Sequence, residues 1–122
     1  MRALVLPTSG DARVVQLRDG SDNDALRTMY ELIGCRYVDV VQLAGDLIMW
    51  LDGEGHRRPV PRERNRPAML LGAAFDQSQV YVGPVIYTGG ADRHGNTKGL
   101  SDGRLAELAR LLDKVRVSVV TG

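Results

Sequence analysis

The sequence predicts an α+β fold: a mixed, largely antiparallel sheet of about five to seven strands with two longer helices and one short helix. Two observations carry that reading. Short apolar runs lie back to back at hairpin spacing, residues 2–7 (RALVLP) with 12–17 (ARVVQL), and 37–43 (YVDVVQL) with 46–51 (DLIMWL). Elsewhere apolar residues recur at i, i+3, i+4 and i+7, the spacing of one helix face. A chain of 122 residues with 43% hydrophobic and 25% charged residues fits a single domain spanning residues 1–122. At that size folding buries roughly two thirds of the surface that the unfolded chain exposes, so no staple is required.

The first hairpin turns at Thr8-Ser9-Gly10-Asp11, residues that accept turn geometry. Ser21, Asp22 or Asn23 caps the helix that follows, whose stripe is Leu26, Met29, Tyr30 and Ile33 and whose stop is Gly34. The second hairpin turns near Ala44-Gly45. Its LIMWL arm is apolar at five successive positions, as in a strand covered on both faces or one whose outer face meets a partner. Trp50, the lone tryptophan, is read mainly as a packing residue and secondarily as an interface anchor. Residues 52–55 (DGEG) form a tight turn.

Residues 56–67 (HRRPVPRERNRP) carry Arg57, Arg58, Arg62, Arg64 and Arg66 against one acid, Glu63. Three prolines keep this stretch extended until its end, where a short helix begins around residues 65–67, with Asn65 a good cap and Pro67 tolerated in the first turn. Arginines beside a helix N-terminus have the local chemistry of an anion or nucleic-acid site, since free amides and the helix dipole both favour negative charge. Arg57, Arg58, Arg62, Arg64, Asn65 and Arg66 are therefore the candidate site residues.

Residues 80–87 (VYVGPVIY) form a further strand, and Gly83-Pro84 implies a bulge or an edge position. After a glycine-rich loop at 89–99, Ser101 or Asp102 caps a last helix with Leu105, Leu108, Leu112 and Val115 on its stripe. Residues 115–121 (VRVSVVT) alternate and are expected to add a terminal strand, in the sheet or against another subunit.

Other classes of function lack a signature. Sixteen Lys and Arg against fifteen Asp and Glu leave a net charge of +1, so any attraction to polyanions is local. A single cysteine, Cys35, excludes an internal disulfide and agrees with a reducing compartment. Pro7 and Gly10 interrupt the apolar start before a signal-peptide core forms, and a cytoplasmic location is expected. No apolar run has the length of a membrane helix. His56 and His94 are the two histidines, and neither has a second ligand at helical spacing. GxSxG, GxGxxG and P-loop patterns are absent. No metal, cofactor or catalytic residue is assigned, and the reading leans away from an enzyme.

The order of features from Leu26 to Gly95 resembles a small family of unknown function found in bacteria, plasmids and phages, many of them actinobacterial. The matching stretches are LIGCRYVDVVQL, the tryptophan arm ending in DGEG, NRPA, and VYVGPVIYTGG. Asn65 and Ala68 match the pattern best, with Gly55 and Gly83 next. The resemblance implies a mobile-element setting and a phage or plasmid accessory protein, acting on host machinery or its defences by binding. A host protein is a better partner than nucleic acid at this net charge. A homodimer, built on the terminal strand or the LIMWL arm, is the remaining expectation.

Overall fold

Two local hairpins, joined by a strand from much later in the chain, build the sheet. The computed structural model describes residues 1–17, 24–57 and 62–121, with side chains up to Lys114. The first hairpin is β1 (Arg2–Leu6) and β2 (Arg13–Gln16), and the second is β3 (Val38–Ala44) and β4 (Leu47–Asp52). The fifth strand, β5 (Val85–Thr88), inserts between them to give the order β2-β1-β5-β4-β3. All four ladders are antiparallel, so the expected mixed character is not found among the described strands.

Register puts Val5, Ile86, Trp50 and Val40 in one row, because Val5 faces Ile86, Ile86 faces Trp50, and Trp50 faces Val40. These residues share one side of the sheet, and α1 (Asp24–Ile33) packs there through Met29 and Ile33. On the opposite side Leu4, Leu6, Met49, Val85 and Tyr87 meet α2 (Arg66–Ala74) and α3 (Asp102–Thr121) through Ala68, Leu71, Leu108 and Leu112. Each fully buried leucine or isoleucine contributes roughly 1.5–3 kcal/mol, so these two clusters are the main stabilising force.

The unbroken apolar arm of β4 is explained by its place: it is paired on both sides and lies between the two helical layers. The same is true of β5, buried at every position. Gly83-Pro84 therefore marks neither an edge nor a bulge within the strand; it precedes β5. Gly83 has φ +72°, and Val82 makes only an isolated bridge, with Arg64.

The helix α1 ends at Gly34, whose φ of +74° and whose N–H, donating to Tyr30 O at 2.8 Å, match the expected stop. The candidate caps Ser21, Asp22 and Asn23 lie outside the described residues. Ser101 caps α3, its Oγ accepting from Arg104 N at 3.1 Å. The expected terminal strand is corrected: residues 115–121 continue α3. The alternating Val-Arg-Val-Ser-Val pattern suits a strand, but no glycine or proline interrupts the helix after Gly103. Extending an existing helix gains one hydrogen bond per residue fixed, whereas a new strand needs a free edge.

The 89–99 loop is held against the sheet by its backbone. Gly89 N donates to Lys98 O at 2.9 Å, Lys98 N to Gly90 O at 2.8 Å, and Leu100 N to Arg2 O at 2.9 Å. A Cβ at Gly90 would stand 2.3 Å from Gly45 O, so this crossing requires glycine.

Candidate functional site

Four segments meet at one knot: the end of α1, the end of β4, the start of α2 and the approach to β5. At its centre is Asn65, fully buried. Its Nδ2 donates to Leu6 O at 2.9 Å and to Gly83 O at 3.0 Å, and its Oδ1 accepts from Ala68 N at 3.0 Å. The backbone adds Asn65 N to Tyr81 O at 2.8 Å and Met69 N to Asn65 O at 3.0 Å. The capping role read from sequence is present, yet the amide also staples β1 to the entrance of β5. Both donors and the carbonyl oxygen are committed inside the protein, so Asn65 does not face an anion.

Arg62 also turns inward. One guanidinium nitrogen donates to Ile33 O at 2.8 Å, to Gly34 O at 3.3 Å and to Asp52 Oδ2 at 3.0 Å. It thus satisfies carbonyls left free at the C-terminus of α1. Asp52, whose side chain is 1% exposed, balances the charge and holds the following turn, its Oδ1 accepting from Glu54 N at 2.8 Å. Two glycines make room: a Cβ on Gly83 would lie 2.8 Å from Arg62 Nε, and one on Gly55 would lie 2.4 Å from Val82 Cγ2. Opposite charges that bond in this way beneath a loop are not visible as such in a run of arginines.

The other candidates separate from the knot. Arg57, Arg64 and Arg66 are exposed, with no ion pair among the described residues. Arg58 lies outside the described residues. Trp50 is half-buried against the α1-side cluster, its Nε1 donating to Thr88 Oγ1 at 2.8 Å.

Outside the knot is an open cleft of about 640 Å³, which sequence reasoning did not anticipate. Tyr30 and Glu31 on α1, Cys35 and Arg36 just after it, and Glu54 and Arg57 beyond β4 line it. Tyr37, next along the chain and 61% exposed, stands at the same connection, where its carbonyl accepts from Gly53 N at 2.8 Å. These residues come from two segments that are brought together by Arg62 and Asp52. The one sequence signal for the cleft was that both segments flank turns, at Gly34 and at DGEG.

Ionisation is displaced at places determined by packing and pairing. Burial pushes the Tyr87 hydroxyl far up, with Tyr81 adding to the effect, and burial raises Tyr81 as well. The Arg104 guanidinium holds the Asp46 carboxyl below its usual range, by a hydrogen bond at the β3–β4 turn. Among the described residues no group of three or more His, Cys, Asp or Glu side chains is arranged to hold a metal ion. No helix among them is long and apolar enough to cross a membrane.

Comparison with known families then bears on the knot. Residues 1–113 match the family described as Domain of unknown function (DUF3846). The chain belongs to the DUF3846 family. No curated protein and no solved structure matches it. The residues on which the resemblance rested acquire a physical meaning in this DUF3846 chain: Asn65 and Ala68 form the α2 cap, while Gly55 and Gly83 admit Val82 and Arg62. All four are interior, and what they determine is the fold.

Proposed function

We propose that this protein is a non-enzymatic binding module, an accessory protein of phage or plasmid type that works in the cytoplasm on a host protein of the cell's machinery or defence. The observation that carries this reading is the cleft: concave, formed by Tyr30, Arg36 and Arg57 with Glu31 and Glu54, and flanked by the exposed Tyr37. Tyrosine and arginine are enriched in protein contact surfaces because each offers a large, orientable contact area with a polar end. Two acids and two arginines in one cleft suit a segment that itself carries both charges. The test is capture of partners from a lysate of the native host, followed by mass spectrometry. A partner held by the wild-type chain and lost with Tyr37→Ala and Arg57→Glu supports the reading; a partner retained by both variants removes it.

A second reading, nucleic-acid binding, is favoured by the exposure of Arg57, Arg64 and Arg66, whose side chains make no ion pair among the described residues. It requires affinity that falls steeply with salt and falls again when these three become alanine. Salt-independent binding sinks it. An enzyme or a small anionic ligand near Asn65 draws no support, since that amide is buried and bonded on every side.

A further inference from the structure

The two edges of the sheet are unlike. On one side β2 has four residues, short enough to offer little ladder. On the other, β3 has seven, VDVVQLA, rich in β-branched residues, free of proline and carrying a single charge at Asp39. A strand of this kind presents unpaired backbone groups to whatever can lie beside it, and natural edges are usually blunted against such pairing. Here the blunting is confined to one end, where the register with β4 shifts between Gln42 and Ala44. The regular part of the edge is therefore Val38 to Gln42.

We infer that this edge pairs with a second copy of the same chain, in an antiparallel ladder centred on Val40. Val40 is the midpoint of the regular stretch and is 55% exposed although apolar. Two copies related by a two-fold axis perpendicular to the sheet keep the same side of each sheet facing the same way, so partners must share a face. Centring on Val40 satisfies this and sets Val40 against the partner's Val40, Asp39 against the partner's Val41, and Val38 against the partner's Gln42. No like charges meet. Centring on Asp39 would oppose two carboxylates, and centring on Val41 would push the ladder into the bulge.

The same register gives the contact its apolar content. Within one chain Val5, Ile86, Trp50 and Val40 already form a row on the α1 side. The two-fold axis joins this row to its copy, so that the two Val40 side chains meet at the centre of a continuous ten-stranded sheet and the half-buried Trp50 of each chain stands one strand behind its own Val40. Neither surface expected from sequence does this. The LIMWL arm is internal, and residues 115–121 are helical. The pairing is also separate from the cleft, whose lining residues it does not include.

Sedimentation equilibrium of the full chain tests the inference. The wild-type protein should sediment at twice the chain mass of 13.3 kDa. Val40→Lys, which opposes two ammonium groups, should raise the dissociation constant roughly tenfold or more. Val14→Lys on the β2 edge, at a residue 49% exposed, should leave it unchanged. In a Cys35→Ser background, Val40→Cys should form an inter-chain disulfide under mild oxidation, since directly opposed Cα atoms lie ~4.5–5.5 Å apart. A chain that is monomeric at every concentration, a dimer that survives Val40→Lys, or a failure of Val40→Cys to cross-link overturns it. So does a monomer that takes up an unrelated extended peptide on β3, which assigns the edge to a foreign strand. Loss of the cleft's partner with Arg57→Glu bears on the proposed function and leaves this result untouched.

Discussion

Replacing Asn65 with alanine removes three buried hydrogen bonds at once, and the structure sets the scale of the loss. The cap to Ala68 N is worth about 1 kcal/mol. Leu6 O and Gly83 O are then stranded in the interior, and each buried acceptor without a partner costs about 1–3 kcal/mol. Some relaxation and shared geometry reduce the sum, so the expected loss is about 3–5 kcal/mol, a large part of the ~5–15 kcal/mol that holds a typical domain together. Urea unfolding followed by Trp50 fluorescence measures it, as a lower midpoint at unchanged slope. Asn65→Asp provides the sharper contrast. It keeps the capping oxygen but aims a carboxylate at two carbonyls, so it should be no better tolerated than alanine. Its loss should deepen as pH rises through the carboxylate range, because the folded state holds the proton that the unfolded chain releases. An alanine variant within about 1 kcal/mol of wild type would refute the stapling role and reopen Asn65 as a surface for ligands.

Tyr87 and Arg62 allow two further measurements. Tyr87 is fully buried and its hydroxyl has no hydrogen-bond partner among the described residues, so Tyr87→Phe should stabilise the protein by about 1 kcal/mol, read as a rise of ~4 °C in Tm. The folded state keeps the Tyr87 proton above pH 10, where an unfolded tyrosine loses it; wild-type stability should fall as pH rises past that value, and less steeply in the variant. Arg62→Met removes the guanidinium that bonds Asp52 Oδ2 at 3.0 Å and Ile33 O at 2.8 Å and should cost about 2 kcal/mol in urea unfolding, whereas Arg57→Ala should change stability by less than ~0.5 kcal/mol.

How far the sequence could be read depends on whether the signal was local. Both hairpins, the α1 stripe through Leu26, Met29 and Ile33 with its Gly34 stop, the Ser101 cap and the Asn65 cap all rest on residues within a few positions of one another, and each is present, whereas Tyr30, expected on the same core stripe, lines the cleft. The insertion of β5 between the hairpins rests on pairs 36 and 81 residues apart, Trp50 with Ile86 and Val5 with Ile86, for which periodicity has no sign. Arg62 shows the same limit at the site. Among the four described arginines of the run nothing in the sequence marks Arg62 as turning inward; what marks it is Asp52 and the α1 terminus, distant in sequence and adjacent in space. The cleft was missed for that reason, since its walls are joined by this contact. The terminal strand failed differently: alternation over seven residues was a real β pattern, outweighed by a helix already running into it.

The placement of β5 has a consequence for how the chain comes together. The two hairpins are complete by Asp52, yet neither is a neighbour of the other in the sheet; among the described strands, residues 85–88 alone touch both. During synthesis β1–β2 and β3–β4 therefore wait, each with an open inner side, until more than thirty further residues have emerged. When Val85–Thr88 docks, it closes four strand sides in a single event, β1 and β4 together with both of its own. Closure of the sheet thus waits on a late segment, and a chain truncated before Val85 should lack a closed sheet and expose strand edges prone to pair with other chains.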